Sequence, residues 1–206
     1  MLLGPTLTLL ALAAYGAMHS LLAAHAAKRL ARRAFGPAAD RYYRLGYNLI
    51  AVVTLLPVLW VLGAFPGQTL YLLPWPWAGL SLAGQGAALV VLGIGFLQSD
   101  PWHFIGLRQL SQTTSSEQPR LVVSGLYRWV RHPLYTAGLA FVWLTPLLTT
   151  SLLAFNLGAT AYLWFGSELE ERRLVTAFGK AYLDYRARVP RLIPRLSPAP
   201  RAPSPP

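Results

Sequence analysis

Three side chains able to carry charge stand together in the stretch GLYRWVRHPLYTAG, Gly125 to Gly138: Arg128, Arg131 and His132. An uncharged run, positions 132 to 167, follows at once, and beyond it come Glu168, Glu170 and Glu171. His132-Pro133 suits the start of a helix, because proline gives up an amide that has no partner in the first turn anyway. The positive end of such a helix holds an anionic group well. A plainer role fits the same residues: two arginines anchoring on lipid headgroups and a histidine capping the helix. Spacing alone leaves both readings open. If the uncharged run folds back on itself, the three carboxylates return towards Arg131 and His132 at one boundary. The result is either a basic and acidic interface pair or a place where a charged small molecule meets a lipid-soluble one.

The elements that must position these residues follow from composition. The chain has 206 residues, 54% of them apolar and 12% charged, with seven Trp and no Cys. It is too apolar for an ordinary soluble domain and reads as one membrane unit. The lack of cysteine excludes a disulfide framework, a thiolate metal site and a cysteine nucleophile, and no metal site is expected. A crossing needs about 20 apolar residues for roughly 30 Å of hydrocarbon. Leu2 to Ala27, Leu45 to Phe65 and Trp77 to Leu97 qualify. The first has no basic region ahead of it and reads as a retained span rather than a signal.

The run from 132 to 167 would be about 54 Å long as a single helix, too long for one crossing. Thr145-Pro146 removes a helical donor and Thr149 to Ser151 offers a turn. Two shorter helices, about 134–149 and 151–168, are therefore expected as a hairpin. The expected fold is all-α, with five transmembrane helices in a single domain, 1–196. A Pro-rich tail, 197–206, is expected to be disordered.

Charge placement fits five crossings. Lys and Arg fall as six in positions 28 to 44, four in 108 to 131 and eight in 172 to 201. With five spans these segments share one face, which the positive-inside rule makes cytoplasmic, with the N-terminus outside. The opposite connection, PGQTLYLLPWPW, carries no charge and reads as an aromatic belt. The net charge of +11 is thus accounted for by basic loops at anionic headgroups, without nucleic acid. The lipid bilayer is the expected partner, in a bacterial inner membrane; oligomeric state is open.

Other signals have plain readings. GQGAAL, Gly84 to Leu89, imitates a dinucleotide loop, but it lies inside an apolar span with no preceding strand, where small residues permit close helix packing. His19 and His25 are too far round a helix to share a metal; they read as interfacial polar residues, with His19 able to reach a site in the bundle. Asp40, Arg41 and Arg44 read as a solvated loop face or as part of a site.

SGLYRWVRHPLYTAG, followed after the uncharged run by ELEERRLVTAFGKAYLDYRARVPRLIP, resembles the C-terminal half of the isoprenylcysteine carboxyl methyltransferase and phospholipid methyltransferase superfamily. The likeness runs from about Gln112 to Pro194. YYRLGYNLI and FIGLRQL are similar to the branch that holds methanethiol S-methyltransferases and the related NnrU-type membrane proteins. The resemblance implies an S-adenosylmethionine-dependent methyltransferase with a cytoplasmic cofactor pocket. Its cofactor contacts would be Gln112, the strip Pro119, Arg120, Leu121 and Val122, Tyr127, the tetrad His132, Pro133, Leu134 and Tyr135, and Glu170.

Arg131 would act in catalysis by gripping an anionic cofactor moiety, and Glu171 by positioning the acceptor or removing its proton. Gly166 stands where the prenylcysteine enzymes carry a substrate-binding Arg, four residues before the first Glu of the pair. The implied acceptor is therefore a small or lipophilic thiol such as methanethiol. A phospholipid amine, an isoprenylcysteine carboxylate or a non-catalytic NnrU-like role are the alternatives.

Overall fold

Long runs without acid or base leave the backbone no hydrogen-bond partner in lipid but itself, so the chain folds mainly into helices. A computed structural model describes residues 2–111 and 121–199. In chain order the helices and strands are α1 (Leu3–Ala23), α2 (His25–Phe35), α3 (Pro37–Ala64), β1 (Thr69–Leu72), α4 (Trp77–Gln98), α5 (Pro101–Ile105), α6 (Arg108–Ser111), α7 (Pro133–Trp143), β2 (Leu147–Thr149), α8 (Thr150–Phe178) and α9 (Lys180–Arg188). A 3-10 turn, Gly125–Arg128, precedes α7.

Among the described residues three helices, α1, α3 and α4, are long and apolar enough to cross a membrane. α7 has 11 residues, and the 29-residue α8 carries Glu168 to Arg173 in its second half. α3 leaves Leu49, Val52, Val53, Leu56, Leu59 and Trp60 exposed, an apolar face that none of the described residues covers. The protein is a mostly helical integral membrane protein.

The chain divides into two compact units. The first holds α1 to α3, α5, α6, the β1/β2 pair and the beginning of α8. Here the structure departs from a loop between the first two spans. α1 stops at Ala23, where Ala24 turns extended; α2 then runs to Phe35, and Gly36, at φ +59°, lets α3 start on Pro37. Asp40, Arg41 and Arg44 accordingly sit on a helix and not a loop. Asp40 faces Arg32 at 3.4 Å, and Arg44 donates to the His103 carbonyl at 2.9 Å.

A second departure from an all-α reading is the antiparallel pairing of β1 with β2, Tyr71 opposite Leu148 and Leu72 opposite Leu147. Pro146 ends helical bonding, and the residues after it satisfy their backbone on β1 instead.

The second unit holds α4, the 3-10 turn, α7, most of α8, α9 and the following segment to Ala199. α4 packs on α7 through small and polar residues. Ser81 Oγ donates to Leu144 O at 2.5 Å and Gln85 Nε2 to Phe141 O at 2.9 Å. A Cβ at Gly84 would sit 2.9 Å from Leu144 Cδ1, and one at Gly95 3.2 Å from Leu134 Cδ2. These are the close approaches that small residues allow between helices in lipid. α7 and α8 are joined near both ends of α7: Tyr135 Oη donates to Glu170 Oε2 at 2.9 Å and Trp143 Nε1 to Thr160 Oγ1 at 3.0 Å.

Candidate active site

The entry to α7 is fixed from two sides. Gln98, at the end of α4, accepts the Leu126 amide at 3.1 Å, and Gly125 adopts φ +59° where any Cβ would run into the Gln98 side chain. On the other side the segment after α9 runs back along residues 128–132. Arg131 N donates to Pro190 O at 2.9 Å, His132 N to Arg191 O at 3.2 Å, and Thr136 Oγ1 to Leu192 O at 2.7 Å. Ala199, within the expected tail, is buried; its amide donates to Arg128 O at 2.9 Å, and Arg128 Nε returns a bond to Ala199 O at 2.8 Å. Residues 200–206 lie outside the described residues.

This framework carries a compact charge cluster. Arg131 Nε and Nη2 reach Glu171 Oε1 at 2.8 and 2.7 Å, and its Nη1 donates to Arg186 O at 3.0 Å and to Val189 O. All three guanidinium nitrogens are thus met by protein. His132 Nε2 lies 3.2 Å from the same Glu171 oxygen and its Nδ1 3.6 Å from Glu170 Oε2. The imidazole therefore sits between two carboxylates, and its ring stacks on Tyr135 with centroids 5.3 Å apart. The two glutamates differ in exposure: the Glu171 side chain is 4% exposed and that of Glu170 47%. Glu168, next along, pairs with Arg191 at 2.6 Å, and the Arg191 guanidinium lies 3.9 Å from the Trp164 ring centroid.

Beneath the cluster Tyr182 and Tyr185 of α9 and Val189, just past its end, form a buried core against which Leu121, Tyr127 and Leu174 pack. Tyr185 Oη donates to Tyr127 O at 2.7 Å. The Tyr182 hydroxyl is buried beside Arg131 but makes no hydrogen bond of good geometry. Burial, followed by the nearby Glu171 carboxylate, pushes the Tyr182 phenol up to about 12, while Arg131 pulls the other way. Burial also raises Tyr185 and Tyr127, the latter with help from Glu170.

Of the residues singled out from sequence, Arg131, His132, Tyr135, Glu170 and Glu171 meet in one cluster. Pro133 is fully buried at the first turn of α7, and Leu134 points to Gly95 of α4. Tyr127 and Leu121 belong to the aromatic core, with Val122 partly buried between Leu121 and Val123 in sequence. Gln112, Pro119 and Arg120 lie outside the described residues. A Cβ at Gly166 would meet nothing within 4 Å. Sequence reasoning did not single out Tyr182, Tyr185, Trp164 or Arg191, nor the Arg186 and Val189 carbonyls that hold Arg131. The i, i+3 spacing of Tyr182 and Tyr185 was the available signal.

Comparison with known proteins adds further findings. Residues 77–181 match the model of the phospholipid methyltransferase family. The chain is 30% identical over 200 residues to the methanethiol S-methyltransferase of Mycobacterium tuberculosis, covering 90% of this chain and 76% of that protein. It is 32% identical over 205 residues to methanethiol S-methyltransferase 2 of Bradyrhizobium diazoefficiens, covering 91% and 72%. A shorter likeness, 34% over 88 residues, joins it to the mouse protein-S-isoprenylcysteine O-methyltransferase, covering 40% and 30%. No solved structure matches the chain.

Proposed function

The chain belongs to the phospholipid methyltransferase family and is a methyltransferase; on that premise we propose that it transfers a methyl group from S-adenosylmethionine to a small or lipophilic thiol such as methanethiol. The observation that carries this reading is the half-exposed Glu170 beside the stacked His132 and Tyr135 rings at the N-terminal end of α7. That donor set suits the cofactor. A carboxylate accepts ribose hydroxyls, aromatic faces favour a sulfonium, and a helix N-terminus takes a carboxylate. When bound, S-adenosylmethionine supplies an electrophilic methyl group. Gln112, Pro119, Arg120, Leu121, Val122 and Tyr127 complete the proposed cofactor contacts.

The chain's own residues then have distinct tasks. Glu170 binds and orients, sharing one oxygen with Tyr135. Glu171, with three donors directed at Oε1, fixes His132 from the other side. Arg131 contributes to catalysis by holding Glu171, since its fork is already met by protein. The reaction depends on placing the acceptor sulfur in line with the methyl group in a site kept dry, so proximity and desolvation supply most of the rate. Gly166 leaves no cation one turn before Glu170, which favours an uncharged acceptor over a carboxylate.

In this reading α7 and the first part of α8 form a membrane hairpin that completes five crossings. The cluster lies at the cytoplasmic boundary of a bacterial inner membrane, and the N-terminus lies outside. The test is methyl transfer from labelled cofactor in detergent, across methanethiol, longer thiols, prenylcysteines and phosphatidylethanolamine. Product on methanethiol or longer thiols is expected. Label entering phospholipid alone overturns the thiol assignment in favour of the amine-methylating alternative.

A further inference from the structure

α2 is divided lengthwise by charge. At about 100° per residue, His25, Lys28, Arg29, Arg32 and Arg33 fall within one arc of about 140°, and Ala27, Leu30, Ala31, Ala34 and Phe35 within the complementary arc. The helix contains no acidic residue. Such a helix lies in the plane of a membrane interface, with its bases at headgroup level and its apolar side turned inward.

The apolar side does not close on protein. Ala31 and Phe35 form one wall of a cavity of about 330 Å³; Leu22, near the end of α1, and the stretch of α3 from Ala38 to Ile50 form the rest. Twelve residue steps along α3 make a slot about 18 Å long at 1.5 Å per residue. No Asp, Glu, Lys, Arg or His lines it. Two of its tyrosines turn their hydroxyls onto protein: Tyr43 donates to Leu22 O at 2.6 Å, and Tyr47 shares a 2.5 Å hydrogen bond with His19 Nε2. Their rings are left to the slot. A Cβ at Gly46, midway along, would meet nothing within 4 Å. Phe35, at the slot's edge, is 72% exposed.

On the helical wheel the bases nearest the slot-lining Ala31 and Phe35 are Lys28 and Arg32, one turn before and one step after Ala31. Arg32 faces Asp40 at 3.4 Å, with both side chains largely exposed. A long apolar slot matches a hydrocarbon chain, and two bases beside it match a phosphate. A small thiol would leave most of the slot unfilled, and a zwitterionic lipid, whose own cation offsets its phosphate, would gain less from the bases.

We propose that this cavity binds one anionic phospholipid, an acyl chain lying along α3 between Leu22 and Ile50 and the phosphate held by Lys28 and Arg32. The site uses none of the residues assigned to methyl transfer, so its readout is independent of activity. Anionic lipid held there fixes α2 against α3 at the interface.

The full chain, purified in mild detergent, is incubated with equal amounts of phosphatidylglycerol and phosphatidylcholine, and retained lipid is read by native mass spectrometry. One phosphatidylglycerol per chain is expected, preferred about tenfold or more over phosphatidylcholine. Gly46→Leu, whose side chain enters the open slot, should lose both lipids. Lys28→Gln with Arg32→Gln should keep chain binding but lose the preference. Ala38→Leu, at one end of the slot, serves if Gly46→Leu fails to fold. Equal retention of the two lipids by the natural protein overturns the proposal. So does undiminished phosphatidylglycerol on the slot-filling variants, which would indicate annular lipid only, or an unchanged preference in the Lys28 and Arg32 variant.

Discussion

Arg131 and Glu171, forty positions apart in sequence, meet in a buried ion pair in which Nε and Nη2 of the guanidinium both reach Oε1, at 2.8 and 2.7 Å. The side chains are 10% and 4% exposed. Because Arg131 also caps two carbonyls at the end of α9, one residue ties the start of α7 to α8 and to the end of α9. The charge cluster depends on that tie for its shape.

Removing the guanidinium should therefore damage both fold and turnover. Arg131→Ala leaves Glu171 buried without its charge partner, a loss on the order of 3–5 kcal/mol. Arg131→Lys restores the charge but not the planar fork that meets three acceptors, and should recover only part of the loss. Thermal unfolding in detergent, with methyl transfer measured at matched folded protein, separates the two effects. Natural stability and rate in Arg131→Lys would mean the residue serves only as a headgroup anchor.

Glu170→Gln should behave differently, because its carboxylate is half exposed and is held by the Tyr135 hydroxyl rather than by a buried charge partner. The fold should survive. Affinity for S-adenosylhomocysteine should fall about 10- to 100-fold, the worth of a charge-assisted bond at roughly 1.5–3 kcal/mol. Tyr135→Phe, which removes only the hydroxyl donor, should cost less. Calorimetric titration reads both, and an unchanged dissociation constant in Glu170→Gln rules out its assignment to the ribose.

Alkaline stability should report the aromatic core under the cluster. Tyr182 titrates near 10 when unfolded and is pushed up to about 12 in the native protein, chiefly by burial. Between those values the native state holds a proton that the unfolded state has released. The contribution is complete below pH 10 and is lost as pH rises towards 12. Tyr182→Phe should flatten this part of the stability curve at little cost at pH 7, since the hydroxyl makes no good hydrogen bond. Denaturation midpoints for both proteins from pH 8 to 11 check it, and parallel curves would reject it.

Labelling can test the orientation directly, because the chain has no cysteine of its own. Gln68→Cys, in the connection before β1, should react with an impermeant maleimide from the outside. Lys28→Cys, Arg120→Cys and Lys180→Cys should react only from the cytoplasmic side. Reaction of Gln68→Cys from the cytoplasmic side alone would invert the five-span arrangement.

Introducing a cation at the open position one turn before Glu170 gives a further check. Gly166→Arg should fold, since nothing stands within 4 Å of a Cβ there. The new fork lies four residues from Glu170 and competes for its carboxylate, so cofactor affinity should fall about twofold by the scale of exposed helix pairs, about 0.3–0.5 kcal/mol, or more where the site is dry. Affinity tighter than in the natural protein would show that Glu170 is not a cofactor ligand.

The sequence made the membrane class legible, because hydropathy over 20 residues is a local property: the windows at Leu2, Leu45 and Trp77 became α1, α3 and α4. It also pointed to Arg131, His132 and the two glutamates as partners, from charges left at the ends of an uncharged run. The amphipathic α2 was passed over as part of a basic loop, although its charges fall on one arc, since counting bases for topology discards their periodicity. The β1/β2 pair was equally hidden: Thr69–Leu72 and Leu147–Thr149 form strands only because each satisfies the other's backbone.

By itself, then, the sequence determined what has to be in lipid, where helices must break, and which ionisable groups have no reason to be near lipid unless they work together. Tertiary structure alone decided which partner each group takes. Glu171 rather than Glu170 became the buried carboxylate, and the Arg131 fork was spent on protein acceptors rather than left open. Adjacent residues on a helix point about 100° apart. Which of the two faces the closed side was therefore set by how α8 sits on α7 and the segment after α9, a long-range contact that no local pattern encodes.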